Sequence, residues 1–181
     1  MKLSNNLKKY FYWIVSIISC FVIVMSIYYT LGGFEEIRVV KSSNNVYNVA
    51  GKEFIGRIKN DSLSLIFSEM RNLVMNKKIN GELCVINYRD QALESGVTHQ
   101  FIGILLGDEI SEIPSGISVR EFKSETTFKA GLGMHPLVMP SAEKVEKKIY
   151  QFATENGYEL ESHSMEILYA DNSILVEMFA K

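Results

Sequence analysis

From Tyr10 to Leu31 the chain carries no charged side chain. A helix of about 22 residues rises ~33 Å, enough to cross a hydrocarbon core of ~30 Å. Aromatic residues stand at both ends, Tyr10, Phe11, Tyr12 and Trp13 before and Tyr28 and Tyr29 after, as expected at headgroup depth. The only tryptophan is therefore read as an interface anchor, not as part of an active site. Lys2, Lys8 and Lys9 precede the run, and Glu35, Glu36, Arg38 and Lys41 follow it. The positive-inside rule puts the N-terminus in the cytoplasm and the remainder outside. The rival is a cleaved signal peptide, whose apolar core runs only ~7–15 residues to a small-residue cleavage site. Ile17-Ile18-Ser19-Cys20 loosely mimics a lipoprotein box, but Phe21-Val22-Ile23 continues the apolar run where a mature polar terminus should start. The expected organisation is a cytoplasmic stretch 1–9, a transmembrane helix 10–32 in the plasma (inner) membrane, a short link and first strand 33–45, and a domain 46–181.

With 47% hydrophobic and 22% charged residues and a net charge of -2, the chain shows neither a disorder signature nor a basic excess. Nucleic acid is not an expected partner. Cys20 lies in the apolar run and Cys84 in a strand-like one, and His99, His135 and His163 are scattered. No metal site or cofactor is expected from such spacing.

Beyond Gly32-Gly33 a pattern of strand, helix, strand, strand runs twice. Ser42-Ser43-Asn44-Asn45 reads as a polar link and Val46–Ile58 as a strand. Asp61 or Ser62 then caps a helix to about Lys77, with Leu63, Ile66, Phe67, Met70, Leu73 and Val74 at helical spacing. Asn80-Gly81 stops it, and Glu82–Tyr88 and Thr98–Leu106 follow as strands. In the second pass Ile117–Phe122 and Thr126–Met134 are strand-like. Ser141 caps a helix whose buried stripe is Ala142, Val145, Ile149, Phe152 and Ala153, and Gly157 ends it. Tyr158–Tyr169 and Ser173–Phe179 close the chain as a hairpin. Repeat 1 runs from about 46 to 110 and repeat 2 from 117 to 181. The expected fold is α+β: tandem β-α-β-β modules building an antiparallel sheet with two helices on one side, after one N-terminal transmembrane helix.

Two carboxylates sit in apolar strand runs, Glu166 in Met165–Tyr169 and Glu177 in Ile174–Phe179. An acid among β-formers is costly when buried unpaired, so it points to solvent, a partner or a ligand. A two-residue tip at Asp171-Asn172 pairs Ala170 with Ser173 and sets Glu166 opposite Glu177, ~4.5–5.5 Å apart at Cβ. A four-residue loop keeps that register; an odd-length loop breaks it. Opposed, partly buried carboxylates would raise one pKa or hold a cation between them. The competing reading is a solvated face, because Glu166 shares its side with Ser162, Ser164 and Leu168. Tyr88 and Tyr169, near the ends of equivalent strands, are candidates to wall a groove through cation–π contact or else plain core. His135 is read as shaping its loop and His163 as core. No nucleophile elbow, phosphate loop or zinc signature is present.

The segments Lys129-Ala130-Gly131-Leu132-Gly133-Met134-His135-Pro136, Glu155-Asn156-Gly157-Tyr158, Glu166-Ile167-Leu168-Tyr169 and Leu175-Val176-Glu177-Met178, in this order, resemble the GyrI-like (gyrase-inhibitor-like) effector-binding domain family, in a membrane-anchored bacterial branch. In ligand-binding members a groove forms between duplicated halves, and a glutamate on the penultimate strand lies in an aromatic-walled pocket for lipophilic cations. The resemblance carries that role to Glu166 and a second acidic position to Glu177. No helix-turn-helix precedes the domain, so a one-chain DNA-binding regulator is not expected. The resulting expectation is a non-catalytic sensor or scavenger with Glu166, Glu177, Tyr88 and Tyr169 as ligand-binding residues. The alternatives are a module docking a partner polypeptide by its groove or an exposed edge strand, and a small hydrolase.

Overall fold

The computed structural model describes residues 5–90, 92–107 and 112–181, so the expected end of repeat 1 near residue 110 lies outside the described residues. The chain forms two compact units, one built on the N-terminal helix with Met134–Met139, the other comprising Ile37–Gly133 and Pro140–Lys181. In the first unit, helix α1 (Asn5–Thr30) contains a window, Lys9–Thr30, long and apolar enough to cross a membrane and nowhere buried. The helix ends at Thr30, and Gly32 in the turn after it has a φ of 83°, which suits a residue without Cβ. His135 shapes its loop as expected: its carbonyl accepts from the Val138 amide at 2.9 Å and its Nδ1 from the Leu137 amide at 3.3 Å.

The second unit contains β1 (Val39–Arg57), α2 (Asp61–Met75), β2 (Gly81–Tyr88), β3 (Val97–Leu106), β4 (Ser118–Leu132), α3 (Ala142–Glu155), β5 (Leu160–Leu168) and β6 (Ile174–Ala180). All pairings are antiparallel, and the order β1-β3-β2-β5-β6-β4 closes into a barrel. The α+β class and the twofold β-α-β-β order are as the sequence predicts. Each half supplies three adjacent strands, and the halves meet at two seams of like strands, β2 with β5 and β1 with β4.

Alternation sorts the side chains into two cores. Val49, Cys84, Ile86, Phe101, Phe122, Met165, Ile167 and Phe179 point inward and form one cluster within the barrel. Phe54, Leu83, Val85, Ile102 and Ile104 point outward and pack with Met70 and its neighbours on α2. Val145, Ile149 and Ala153 are the buried residues of α3. Within the barrel wall β1 and β3 approach closely at the Gly51–Gly103 pair; a Cβ on Gly51 would lie 2.4 Å from the Ile102 carbonyl oxygen.

Four boundaries differ from the sequence reading. Ser42–Asn45 is not a link but part of β1, paired with β4 and interrupted only at Asn44, where φ is 55°. Its polar side chains read as loop because burial on this stretch is slight. Likewise, β4 is one strand where two were expected. The cap of α2 is Asn60, whose Oδ1 accepts from the Ser62 amide at 3.0 Å, rather than Asp61 or Ser62. The same helix stops before Asn80-Gly81, with Lys77 in the left-handed region. Ser141 does cap α3, accepting from the Lys144 amide, and Gly157, at φ 79°, follows its C-cap.

Candidate functional site

The β5–β6 hairpin turns through five residues, 169–173, with Asn172 at φ 67°. This odd-length loop moves the register by one from the two-residue tip. Met165 pairs with Glu177, and Glu166 pairs with Val176. The two glutamates are therefore on opposite faces of the sheet. The expected carboxylate pair, and with it the cation held between them, is removed by this register.

Glu177 faces the barrel interior and is 0% exposed. Tyr47 of β1 donates from its hydroxyl to Glu177 Oε2 at 2.7 Å. Among the described residues Oε1 has no hydrogen-bond donor; the ammonium of Lys129, directly across the β4–β6 ladder, lies 3.5 Å away. Lys129 Nζ donates instead to the Tyr47 hydroxyl at 2.8 Å and to Asn45 Oδ1 at 3.1 Å. The Asn45 amide is in turn anchored on Thr127 Oγ1 at 2.7 Å. Burial, and then the hydrogen bond and charge of Glu177, push the Tyr47 phenol well above its ordinary pKa, so it stays a donor. The Tyr47 ring meets Phe179 edge-on at 6.2 Å, and Leu175 and Phe179 flank the carboxylate on its own face. This is a buried carboxyl group with one oxygen lacking a donor, set in the barrel interior between the Tyr47 and Phe179 rings and the Lys129 ammonium.

At the other end of the lumen Tyr88 lies 4.4 Å from the His99 ring and 6.0 Å from the His163 ring. Arg120 lies over Phe101 and donates to Glu53 Oε1 at 3.1 Å and to the Tyr88 hydroxyl at 3.3 Å, while His99 meets the same Glu53 oxygen at 2.9 Å. Those contacts hold the Glu53 carboxyl below its ordinary pKa, Arg120 contributing most and His99 next. His163 stacks on Phe179 at 4.9 Å, and burial lowers its pKa.

Glu166 instead faces the helices. Asn87 Nδ2 donates to its Oε1 at 2.6 Å, and Gln100 donates to Asn87 Oδ1 at 2.7 Å. Burial first, then the nearby Glu146 charge, raise the Glu166 pKa against the lowering effect of Asn87. Glu146 on α3 accepts from Arg89 at 2.9 Å and from Ser164.

Tyr88 and Tyr169 do not wall one groove. Tyr88 ends β2 and Tyr169 follows β5, but those strands run antiparallel, with Leu83 beside Leu168 and Tyr88 beside His163. The two tyrosines consequently mark opposite ends, Tyr169 in the hairpin loop on the Glu177 side of Ile167. Tyr47, Lys129 and Asn45 are not among the ligand-binding residues expected from the sequence. Lys129 carried the same signal as the glutamates, a charge inside the apolar run Thr127–Leu132.

No family model matches the chain, and no curated protein matches it in sequence. Solved structures match in fold. An uncharacterized conserved protein from Listeria innocua superposes with a TM-score of 0.60 at 9% identity over 82% of this chain and 94% of its own. The EcmrR C-terminal domain gives 0.53 at 15% identity over 80% and 96%. A hydrolase from Listeria innocua gives 0.54 at 9% identity over 81% and 93%. At these identities the likeness shows a shared fold alone, one consistent with a GyrI-like effector-binding fold.

Proposed function

We propose that this chain is a membrane-anchored GyrI-like domain that binds a small lipophilic cation in the barrel lumen beside Glu177, as a non-catalytic sensor or scavenger. The observation that carries the reading is the Glu177 carboxylate, fully buried with Oε1 lacking a donor. A carboxyl group buried inside the barrel favours a positive charge beside it, and the aromatic neighbours suit an apolar cation body. Glu177 replaces Glu166 as the primary ligand residue, with Tyr47 positioning it and Tyr169 near its mouth. Tyr88 belongs to the far end. Docking through an exposed edge strand loses its support, because the barrel closes on itself. In this reading α1 remains as an uncleaved anchor, with the N-terminus cytoplasmic and the domain outside.

The test uses the full chain in nanodiscs, titrated with benzyltrimethylammonium, a soluble permanent aromatic cation, against empty nanodiscs. Wild type and Glu166→Gln should bind and be stabilised, by ~2.7 kcal/mol at 100 times Kd. Glu177→Gln should abolish both effects. Loss with Glu166→Gln but not with Glu177→Gln would move the site out of the lumen. Topology is read separately, from labelling of Lys123→Cys by an impermeant maleimide in intact cells; Lys123 is exposed. Absence of labelling until the cells are permeabilised would place the domain inside.

A further inference from the structure

Resting on that reading, we propose that Lys129 is a tethered surrogate for the ligand: its ammonium occupies the cation position beside Glu177, and an external organic cation binds by displacing it. Four observations meet at this point. Among the described residues the Lys129 ammonium is the cation paired with Glu177, 3.5 Å from the oxygen that no donor satisfies. It also lies 5.5 Å from the centre of the Tyr47 ring, so it already occupies the aromatic-and-carboxylate corner that a foreign cation would seek. Its hydrogen bonds go to neutral oxygens, Tyr47 Oη and Asn45 Oδ1, and not to the carboxylate. Finally, its side chain is 23% exposed while that of Glu177 is 0% exposed, so the lysine head reaches solvent by rotation of its own stem while the carboxylate cannot follow.

These facts make the exchange conditional. With Lys129 in place the buried carboxylate is charge-matched. If Lys129 swings out alone, Glu177 is left buried without a counter-charge, the least favourable arrangement available. If an organic cation enters as Lys129 leaves, the carboxylate stays matched and the ammonium gains full hydration. Ligand entry and lysine release are thus one event, and ligand binding delivers a positive charge to the outer surface of the domain. The ligand class narrows accordingly. A neutral apolar molecule cannot replace the ammonium, and an anion would meet Glu177. A permanently charged, weakly hydrated organic cation loses least on entering and competes best with a strongly hydrated primary ammonium held by its tether.

The test is a calorimetric titration of the full chain in nanodiscs with benzyltrimethylammonium, comparing wild type with Lys129→Met and Lys129→Gln. A second readout is the acylation rate of Lys129 by an amine-reactive ester, followed by mass spectrometry with and without the cation. Both variants are expected to bind at least about tenfold more tightly than wild type, and Lys129 in wild type should acylate faster as the cation is added. Equal affinity of wild type and variants would overturn the displacement while leaving the lumen site standing. Binding by no form would overturn both. Should neither variant fold, an acylation rate unmoved by the cation overturns the displacement by itself.

Discussion

Asn87 donates a 2.6 Å hydrogen bond to Glu166, joining β2 to β5 on the helix-covered side of the sheet. The carboxyl it supports has its pKa raised by burial and by Glu146, so the folded state binds the Glu166 proton more tightly than the unfolded chain. Stability from this group is present below the unfolded carboxylate pKa, and is lost as pH rises through the folded one. Glu166→Gln keeps an acceptor for Asn87 and removes the charge. It should raise Tm by a few degrees at pH 7 and by less at pH 4. A lower Tm at pH 7 would contradict a charge-burdened Glu166.

Tyr47 and Glu177 are expected to be energetically coupled. Tyr47→Phe removes the donor to Oε2 and should cost about 1.5–3 kcal/mol in urea unfolding. In a Glu177→Gln background the same change should cost less, with a coupling of about 0.5–3 kcal/mol. Equal costs in both backgrounds would show that the carboxylate charge adds nothing to the 2.7 Å contact.

His163 gives the barrel a pH dependence of the opposite sense. Its pKa lies below the ordinary 6.5, mainly through burial, so the unfolded chain takes up a proton that the folded one resists. Its contribution is intact above the unfolded pKa and is lost as pH falls through that value towards the folded one. Unfolding free energy should therefore decline on acidification below ~6.5. His163→Phe, which retains stacking on Phe179, should flatten that decline. An unchanged slope would assign the acid sensitivity elsewhere.

The Gly51–Gly103 contact predicts a strong local intolerance. A Cβ on Gly103 would lie 2.6 Å from the Ala50 carbonyl oxygen, so Gly103→Ala should cost about 1–3 kcal/mol. Gly131, also in the wall, has no atom within 4 Å of its ideal Cβ and serves as the control. Its alanine variant should be neutral or slightly stabilising. Similar losses at both sites would mean that strand glycine itself, and not the close approach, sets the cost.

The helices and the succession of elements along the chain were legible because their signals are local. The spacing of Leu63 through Val74 defines α2, and Ser141 and Gly157 bracket α3. The register of the last hairpin was not legible, because Asp171-Asn172 has the chemistry of a two-residue tip while the turn takes five residues. That single step decided which acid faced the lumen. Closure into a barrel was hidden as well, since the β1–β4 seam joins segments far apart in sequence and uses polar residues such as Ser42 and Asn45. Tyr47 became a partner of Glu177 only through that closure, whereas Lys129 faces Glu177 across the β4–β6 ladder within the second half. Each is unremarkable beside its sequence neighbours except for the charge on Lys129.

The two like-with-like seams bear on how the domain can come apart. Either half alone would be a three-stranded ribbon with both outer strands bare, β1 and β2 in one, β4 and β5 in the other. Each ribbon would offer to any second copy the same edges that its sister half now covers. The chain between β3 and β4 keeps that encounter intramolecular, at an effective concentration no free partner matches. A cut there would convert one self-sealed protein into two interdependent subunits.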